Sequence, residues 1–281
     1  MSPTGAADPL FVLARRVLLD ALEALGPQRD ALILVGAQAV YLHTGPAGLA
    51  VPEFTTDADI AINPELLTAA PRIAETLEKA GFRTDMDKVG TWVTTRPYRD
   101  GEVDVMLDLM VPDAVGGPGR RGARLAVHGN RVARKAKGLE AALSDNQKMR
   151  IVSLESSDER GYEVAVAGPG ALLIAKLHKI SERQGEPGRL QDKDALDVLR
   201  LLRATSTAEL AAAFENALAE KISAVVAQEA LSQLETLFAR PASPGSLMAA
   251  RAAAPLESPE TTAASCAALA GDLLSKLRRR I

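Results

Sequence analysis

Cysteine is almost missing from this chain: Cys266 is the only one in 281 residues, which excludes an internal disulfide framework and fits a reducing compartment. Histidine is nearly as scarce, and His43, His128 and His178 stand singly, without the close pairs that a structural zinc site needs. Aromatic residues make up 3% of the sequence, so the core must be built from aliphatic side chains. Trp92, Tyr41 and Tyr98 are therefore expected in the core before any stacking on a base. No apolar run approaches the roughly 20 residues that cross a bilayer, and the N-terminus has no basic segment followed by an apolar one. A cytoplasmic protein with no membrane partner is expected. A large excess of either charge is missing too: the formal net charge is -3, so any nucleic-acid partner must be gripped by local patches.

What is present is a chain long enough for one large or two modest domains, with 47% hydrophobic residues to fill a core. Leu10, Leu13, Val17, Leu18, Leu22 and Leu25 recur at helical spacing, and Gly26-Pro27 supplies a stop. Ala31 to Val35 is a continuous apolar run closed by Gly36, as a strand buried on both faces would read, and Ala37 to His43 follows as a short helix. After a loop from Thr44 to Phe54, Thr55 to Ile62 has the alternation of a strand. Asn63-Pro64 predicts a capped helix through Ala80. Further strands are expected at Arg83 to Met86, Thr91 to Thr95, Val103 to Val111, Met149 to Leu154 and Tyr162 to Val166. Beyond Gly168 the pattern is helical throughout: Pro169 to Arg183, Asp192 to Arg203, Thr207 to Arg240 and Pro259 to Arg280. The composition thus predicts an α+β arrangement, a mixed sheet with flanking helices over 1–167 and a helical region over 168–281. The Pro-, Ala- and Ser-rich stretch 241–258 is expected to be a linker.

Chemistry concentrates in Thr56-Asp57-Ala58-Asp59. Residues two apart on a strand share a face, so both carboxylates project together. Their mutual repulsion is relieved by a divalent cation, and magnesium fits because it is commonly held by one or two carboxylates plus substrate phosphates. The plainer alternative is a pair of solvated acids at a strand edge. Upstream, Gly36 lets the backbone approach phosphate closely at a helix N-terminus. Downstream, Asp104 and Asp108 share one face of an otherwise apolar strand, where an acid is costly unless paired or metal-bound.

The combination of Gly36-Ala37 at a helix start with Asp57-Ala58-Asp59 on the next strand resembles the signature of the DNA polymerase β-like nucleotidyltransferase superfamily. The resemblance implies the corresponding fold, a magnesium cofactor held by Asp57, Asp59 and a third carboxylate from Asp104 or Asp108, and an NTP substrate contacted at Gly36 and Ala37. Ala37 stands where that signature has glycine or serine, which removes a hydroxyl from the phosphate site. Lys176, Lys179 and Arg183 share one helical face, as do Asp194 and Asp197. They resemble the lysine helix and Lys-Asp-x-x-Asp helix of abortive-infection (AbiEii-like) nucleotidyltransferases, some of which are toxins of toxin-antitoxin pairs. That likeness implies Lys176 on the triphosphate and Asp194 as an orienting acid, with Lys179, Arg183 and Asp197 as further nucleotide-binding positions. A pair of salt-bridged amphipathic helices is the plainer reading.

The activity so implied is transfer of a nucleoside monophosphate to an acceptor hydroxyl, with tRNA or another RNA as acceptor and an antitoxin protein as partner. Arg120, Arg121, Arg124, Arg131, Arg134, Lys135 and Lys137 offer a surface for an RNA backbone, or simply a solvated basic face. Two readings compete: a catalytically idle relative serving as a binding or regulatory module, and a small-molecule enzyme of aminoglycoside type.

Overall fold

The computed structural model describes residues 7–45, 47–186 and 191–279. It opens with helix α1 (Pro9–Ala24), whose first turn is capped by the Asp8 carboxylate accepting from the Leu10 amide at 2.8 Å. Strand β1 (Leu32–Val35), helix α2 (Gly36–Thr44) and strand β2 (Asp57–Ile62) follow. Then come helix α3 (Ile73–Lys79), strands β3 (Arg83–Thr84), β4 (Thr91–Tyr98) and β5 (Gly101–Pro112), and strands β6 (Arg134–Ala136), β7 (Asn146–Val152) and β8 (Gly161–Ala167). The remainder is helical: α4 (Pro169–Arg183), α5 (Asp192–Ala204), α6 (Thr207–Ala219), α7 (Ala224–Phe238), α8 (Pro244–Ala253) and α9 (Pro259–Arg278). This is the α+β arrangement the pattern predicts. Arg280, where the last helix was expected to end, lies outside the described residues. No helix among the described residues is long and apolar enough to cross a membrane.

The strands form one mixed sheet in the order β3-β4-β5-β2-β1-β8-β7. Strand β2 runs antiparallel to β1 and parallel to β5, and β5 runs antiparallel to β4. Strand β6 pairs parallel with β5 from Met110 onward, on the edge that β4 leaves at Asp108. One face of β2 and β5 is buried and apolar, with Ala58, Ile60, Val105, Leu107 and Leu109 in the core. Helix α1 packs against these two strands. It lies on that apolar side, because Asp20 of α1 meets Arg96 at 2.8 Å, and Arg96 points away from its neighbour Thr95, which bonds Asp104 on the opposite face.

Two compact units result. The sheet unit comprises the chain up to Gln38, Glu53–Ala136 and Asn146–Val166; the helical unit comprises Ala39–Pro52, Lys137–Asp145 and the chain from Ala167. The simple division at 167 therefore assigns two segments to the wrong unit. Buried Arg200 on α5 binds the first, donating to the Val51 and Pro52 carbonyls at 2.7 and 3.2 Å and stacking on Tyr41. Asp145 binds the second, accepting from the Ala171 amide in the first turn of α4 at 2.8 Å.

Two other expectations are corrected. The helix predicted from Asn63 to Ala80 is a single short turn at Pro64–Leu66 and then α3, separated by non-helical chain. Pro71 cannot continue a helix, and the buried Gln28 amide group holds the intervening backbone by donating to the carbonyls of Thr68 and Pro71. The expected linker 241–258 contains α8, which buries Met248, Ala249, Ala250 and Ala253 and packs on α5 and α9. Its small residues mark close packing: a Cβ on Gly245 would come within 2.6 Å of the Phe238 ring. Met248→Ala should consequently cost about 2–5 kcal/mol in urea denaturation; a flexible linker would register less than about 0.5 kcal/mol.

Candidate active site

Four acids lie along one face of β2 and β5. The parallel register sets Asp59 beside Asp108 and Asp57 beside Met106, so the alternation puts Asp57, Asp59 and Asp108 on the side opposite α1. All three are partly exposed. Asp108 Oδ1 accepts from the Thr91 hydroxyl directly across the antiparallel pair at 2.7 Å, and its Oδ2 faces Arg134 Nη2 at 3.5 Å. Asp57 Oδ1 accepts a short hydrogen bond from the Thr55 hydroxyl. Asp104 stands apart, four residues back along β5, or about 13 Å. Its exposed carboxylate accepts from Thr95 at 2.6 Å and Arg83 at 2.7 Å, and these two partners hold it below the usual carboxylate range.

Gly36 joins this face from the end of β1. Its φ of 70° is in the left-handed region, and a Cβ there would lie 2.0 Å from Asp59 Oδ2. Only glycine lets α2 start against the Asp59 carboxylate. Ala37 is buried, so what it can offer a ligand is its backbone amide. Behind it, a chain of buried polar groups fixes β2. Arg15 of α1 donates to Gln38 Oε1 at 2.8 Å and to the Val152 carbonyl at 3.0 Å, and Gln38 Nε2 donates to the Asp57 carbonyl at 3.2 Å. Burial pushes the Arg15 guanidinium down to about 10, against the attraction of Glu53.

A second cluster lies within the helical unit. Lys176 Nζ sits between Asp194 at 2.8 Å and Asp197 at 2.7 Å, all three almost wholly buried. Asp194 also meets Lys179 at 3.0 Å and Arg183 at 3.6 Å. Burial alone would lower the Lys176 ammonium, but the two carboxylates outweigh it and hold it well above the ordinary lysine value. Burial would likewise raise Asp194, and Lys176 and Lys179 hold it well below the carboxylate range.

The nucleotidyltransferase family profile matches residues 15–223 of this chain, well over half of it. The chain belongs to the nucleotidyltransferases. A comparison with curated proteins finds no match. The enzyme therefore takes a nucleoside triphosphate as substrate, and enzymes of this class generally work with divalent metal ions. Among the described residues no three His, Cys, Asp or Glu side chains converge as a ready-made metal cage. Two adjacent carboxylates completed by substrate phosphates are what a magnesium site commonly needs, and the hard oxygen donors of Asp57, Asp59 and Asp108 suit that chemistry.

In this nucleotidyltransferase the residues anticipated from the sequence fall into two sets: Gly36, Asp57, Asp59 and Asp108 lie on one face in the sheet unit, and Lys176, Lys179, Arg183, Asp194 and Asp197 meet in the helical unit. Lys176, anticipated on the triphosphate, has its ammonium enclosed by carboxylates, with a side chain only 5% exposed. The basic stretch also divides: Lys135 pairs with Asp113, Lys137 with Glu229 and Arg134 with Asp108, and Arg131 caps the Met86 carbonyl. Arg120, Arg121 and Arg124 stay exposed without a carboxylate partner among the described residues. The histidines serve structure, His178 on the Val226 carbonyl, His43 on Ala167 and His128 on Thr68. Trp92 is buried, its indole N–H donating to Val132. Arg15, Gln38 and Thr91 are the contributors that pattern reasoning missed, and Arg134, expected on a basic surface, faces Asp108. Arg15 alone left a sign, as a charge on the apolar stripe with Leu18 and Leu22.

Two outcomes follow from these distances. Gly36→Ala must displace Asp59, and nucleotidyl transfer should fall about a hundredfold with the circular dichroism spectrum unchanged. Asp194→Asn strands part of the Lys176 charge and should cost about 3–5 kcal/mol at pH 7. Because the Asp194 carboxyl is depressed from its ordinary 3.8, its contribution is present above that pH and is lost as pH falls through the lower folded value. The gap in melting temperature between wild type and Asp194→Asn should accordingly be full at pH 7 and 5 and narrow toward pH 3.

Proposed function

We propose that the carboxylate face of the sheet is the catalytic centre, with Asp57 and Asp59 as magnesium ligands and Asp108 as the third carboxylate. The observation that carries this reading is the register of Asp59 against Asp108 on adjacent parallel strands, with Asp57 on the same face and Gly36 closing against Asp59. Asp104 is left out because of its distance along β5 and its engagement with Arg83 and Thr95.

Magnesium, when bound there, supplies the positive charge that acidifies an acceptor hydroxyl and offsets the charge of the phosphates. The chain's residues do the rest. Backbone amides at the start of α2 orient the phosphates. Asp108, steadied by Thr91, takes the proton of the acceptor hydroxyl. The hydroxyl oxygen forms a bond to the α-phosphorus as the bond from that phosphorus to the bridging oxygen of the β-phosphate breaks, and pyrophosphate leaves with the electron pair.

The acceptor in this proposal is RNA, at the 3′ hydroxyl of a tRNA. Support comes from Arg120, Arg121 and Arg124, exposed in the same unit on the loop that leads into β6, and from the likeness to abortive-infection enzymes. That likeness extends the reading to the toxin of a toxin-antitoxin pair, with an antitoxin protein as its partner.

Purified protein incubated with magnesium, total RNA and each α-labelled NTP should label a tRNA-sized product and release pyrophosphate. Asp59→Asn should reduce labelling at least about a hundredfold, while Asp104→Asn stays within about twofold of wild type. Full labelling by Asp59→Asn would sink the site. Label in protein or in an aminoglycoside would move the acceptor, and absence of pyrophosphate release with every acceptor would favour the idle-module reading.

A further inference from the structure

Nucleotidyl transfer needs a cation on the phosphate chain, and Lys176, the residue expected there, is enclosed by Asp194 and Asp197. The sheet unit holds another candidate. Arg134 begins β6, which continues the edge of β5 beyond β4, so the register places it beside Met110, two residues from Asp108. Its backbone cannot drift, because a Cβ on Gly90 would lie 2.4 Å from the Arg134 nitrogen and 2.6 Å from the Leu109 carbonyl oxygen. Backbone packs on backbone at this point, and Gly90 donates to the Arg131 carbonyl while accepting from the Leu109 amide at 2.8 Å.

The side chain, by contrast, is loosely held. Arg134 Nη2 is 3.5 Å from Asp108 Oδ2, at the long limit of a hydrogen bond, and the side chain is 35% exposed. The other Asp108 oxygen is already satisfied by Thr91 at 2.7 Å. A fixed backbone, a partly exposed guanidinium and a weak contact to a candidate metal-binding carboxylate describe a group that can exchange partners.

We propose that Arg134 is a nucleotide-binding residue that leaves Asp108 and contacts the phosphate chain of the NTP; the inference rests on the carboxylate site proposed above. With no divalent cation beside it, Asp108 is the nearest anion, and the guanidinium offsets its charge and that of Asp59 in register with it. A divalent cation held by the carboxylates would repel the guanidinium, and a triphosphate bound with it would present more negative charge to Arg134. The planar fork of arginine matches phosphate oxygens, and charge-assisted bonds to them are stronger than the long contact it gives up.

The test uses the full chain as wild type, Arg134→Gln and Arg134→Lys. Binding of magnesium with the non-transferable α,β-methylene analogues of the ribonucleoside triphosphates is measured by calorimetry, and binding of Mn2+ without nucleotide by electron paramagnetic resonance. Arg134→Gln should weaken nucleotide binding at least about tenfold while Mn2+ binds as tightly as in wild type or tighter, and Arg134→Lys should recover part of the loss. If wild type binds nucleotide and Arg134→Gln binds it within about twofold as well, the inference is overturned and the carboxylate site stands. Joint loss of nucleotide and Mn2+ binding would also overturn it, making Arg134 a support for Asp108 only. Failure of wild type to bind any of the analogues would overturn the carboxylate site together with it.

Discussion

Hydrogen bonds between β2 and β5 hold Asp59 beside Asp108, and a slip of one residue between these strands would turn one of the two acids toward α1. The register is protected by what lies on the other face, where Ala58 and Ile60 of β2 and Leu107 and Leu109 of β5 are fully buried. Moving either strand by one position would expose those aliphatic groups and bury carboxylates, a change opposed by both transfer terms at once. The position of the carboxylate face is thus set from behind by hydrophobic burial. The chain from Arg15 through Gln38 to the Asp57 carbonyl adds a polar constraint at the open end of β2, where apolar contacts stop.

The same residue types serve opposite ends in the two units. Asp194 and Asp197 are deeply buried, and the ammonium of Lys176 compensates them in place, which makes that cluster a rigid pin between α4 and α5. Asp57 and Asp108 are partly exposed; threonine hydroxyls orient them, and the only cation against Asp108 among the described residues is Arg134, at a long 3.5 Å. Charge fully compensated by the fold contributes to stability; charge that is only oriented remains available to a ligand.

Much of this was legible in the sequence because it depends on local spacing. The two-residue step from Asp57 to Asp59 fixes a shared face whatever the rest of the chain does, and the apolar periodicity of α1, α4 and α5 announces those helices within a residue or two. What pattern could not supply was long-range registry. Asp104 and Asp108 read alike along β5, and only the partners opposite them, Arg83 and Thr95 for one, Asp59 and Thr91 for the other, tell them apart. Lys176 and Asp194 read by spacing either as nucleotide-binding positions or as faces of salt-bridged helices, and spacing alone does not reveal how deeply a helix face is buried. The stretch 241–258 misled for a related reason: alanine, serine and glycine suit flexible chain and close helix packing equally, and the facing surface of α5 and α9 decides between them.

The contact between Gly36 and the Asp59 carboxylate couples two positions that are far apart in sequence and very different in chemistry. Any side chain at 36 would meet the Asp59 Cβ at 2.7 Å as well as its carboxylate, so even a smaller residue at 59, which has no carboxylate, does not make room for it. Neither position can vary first without loss, so the residue with no functional group carries the same restriction as the acid it touches. For anyone redesigning this chain, the pair is one unit with one admissible state, and diversity has to be introduced around it.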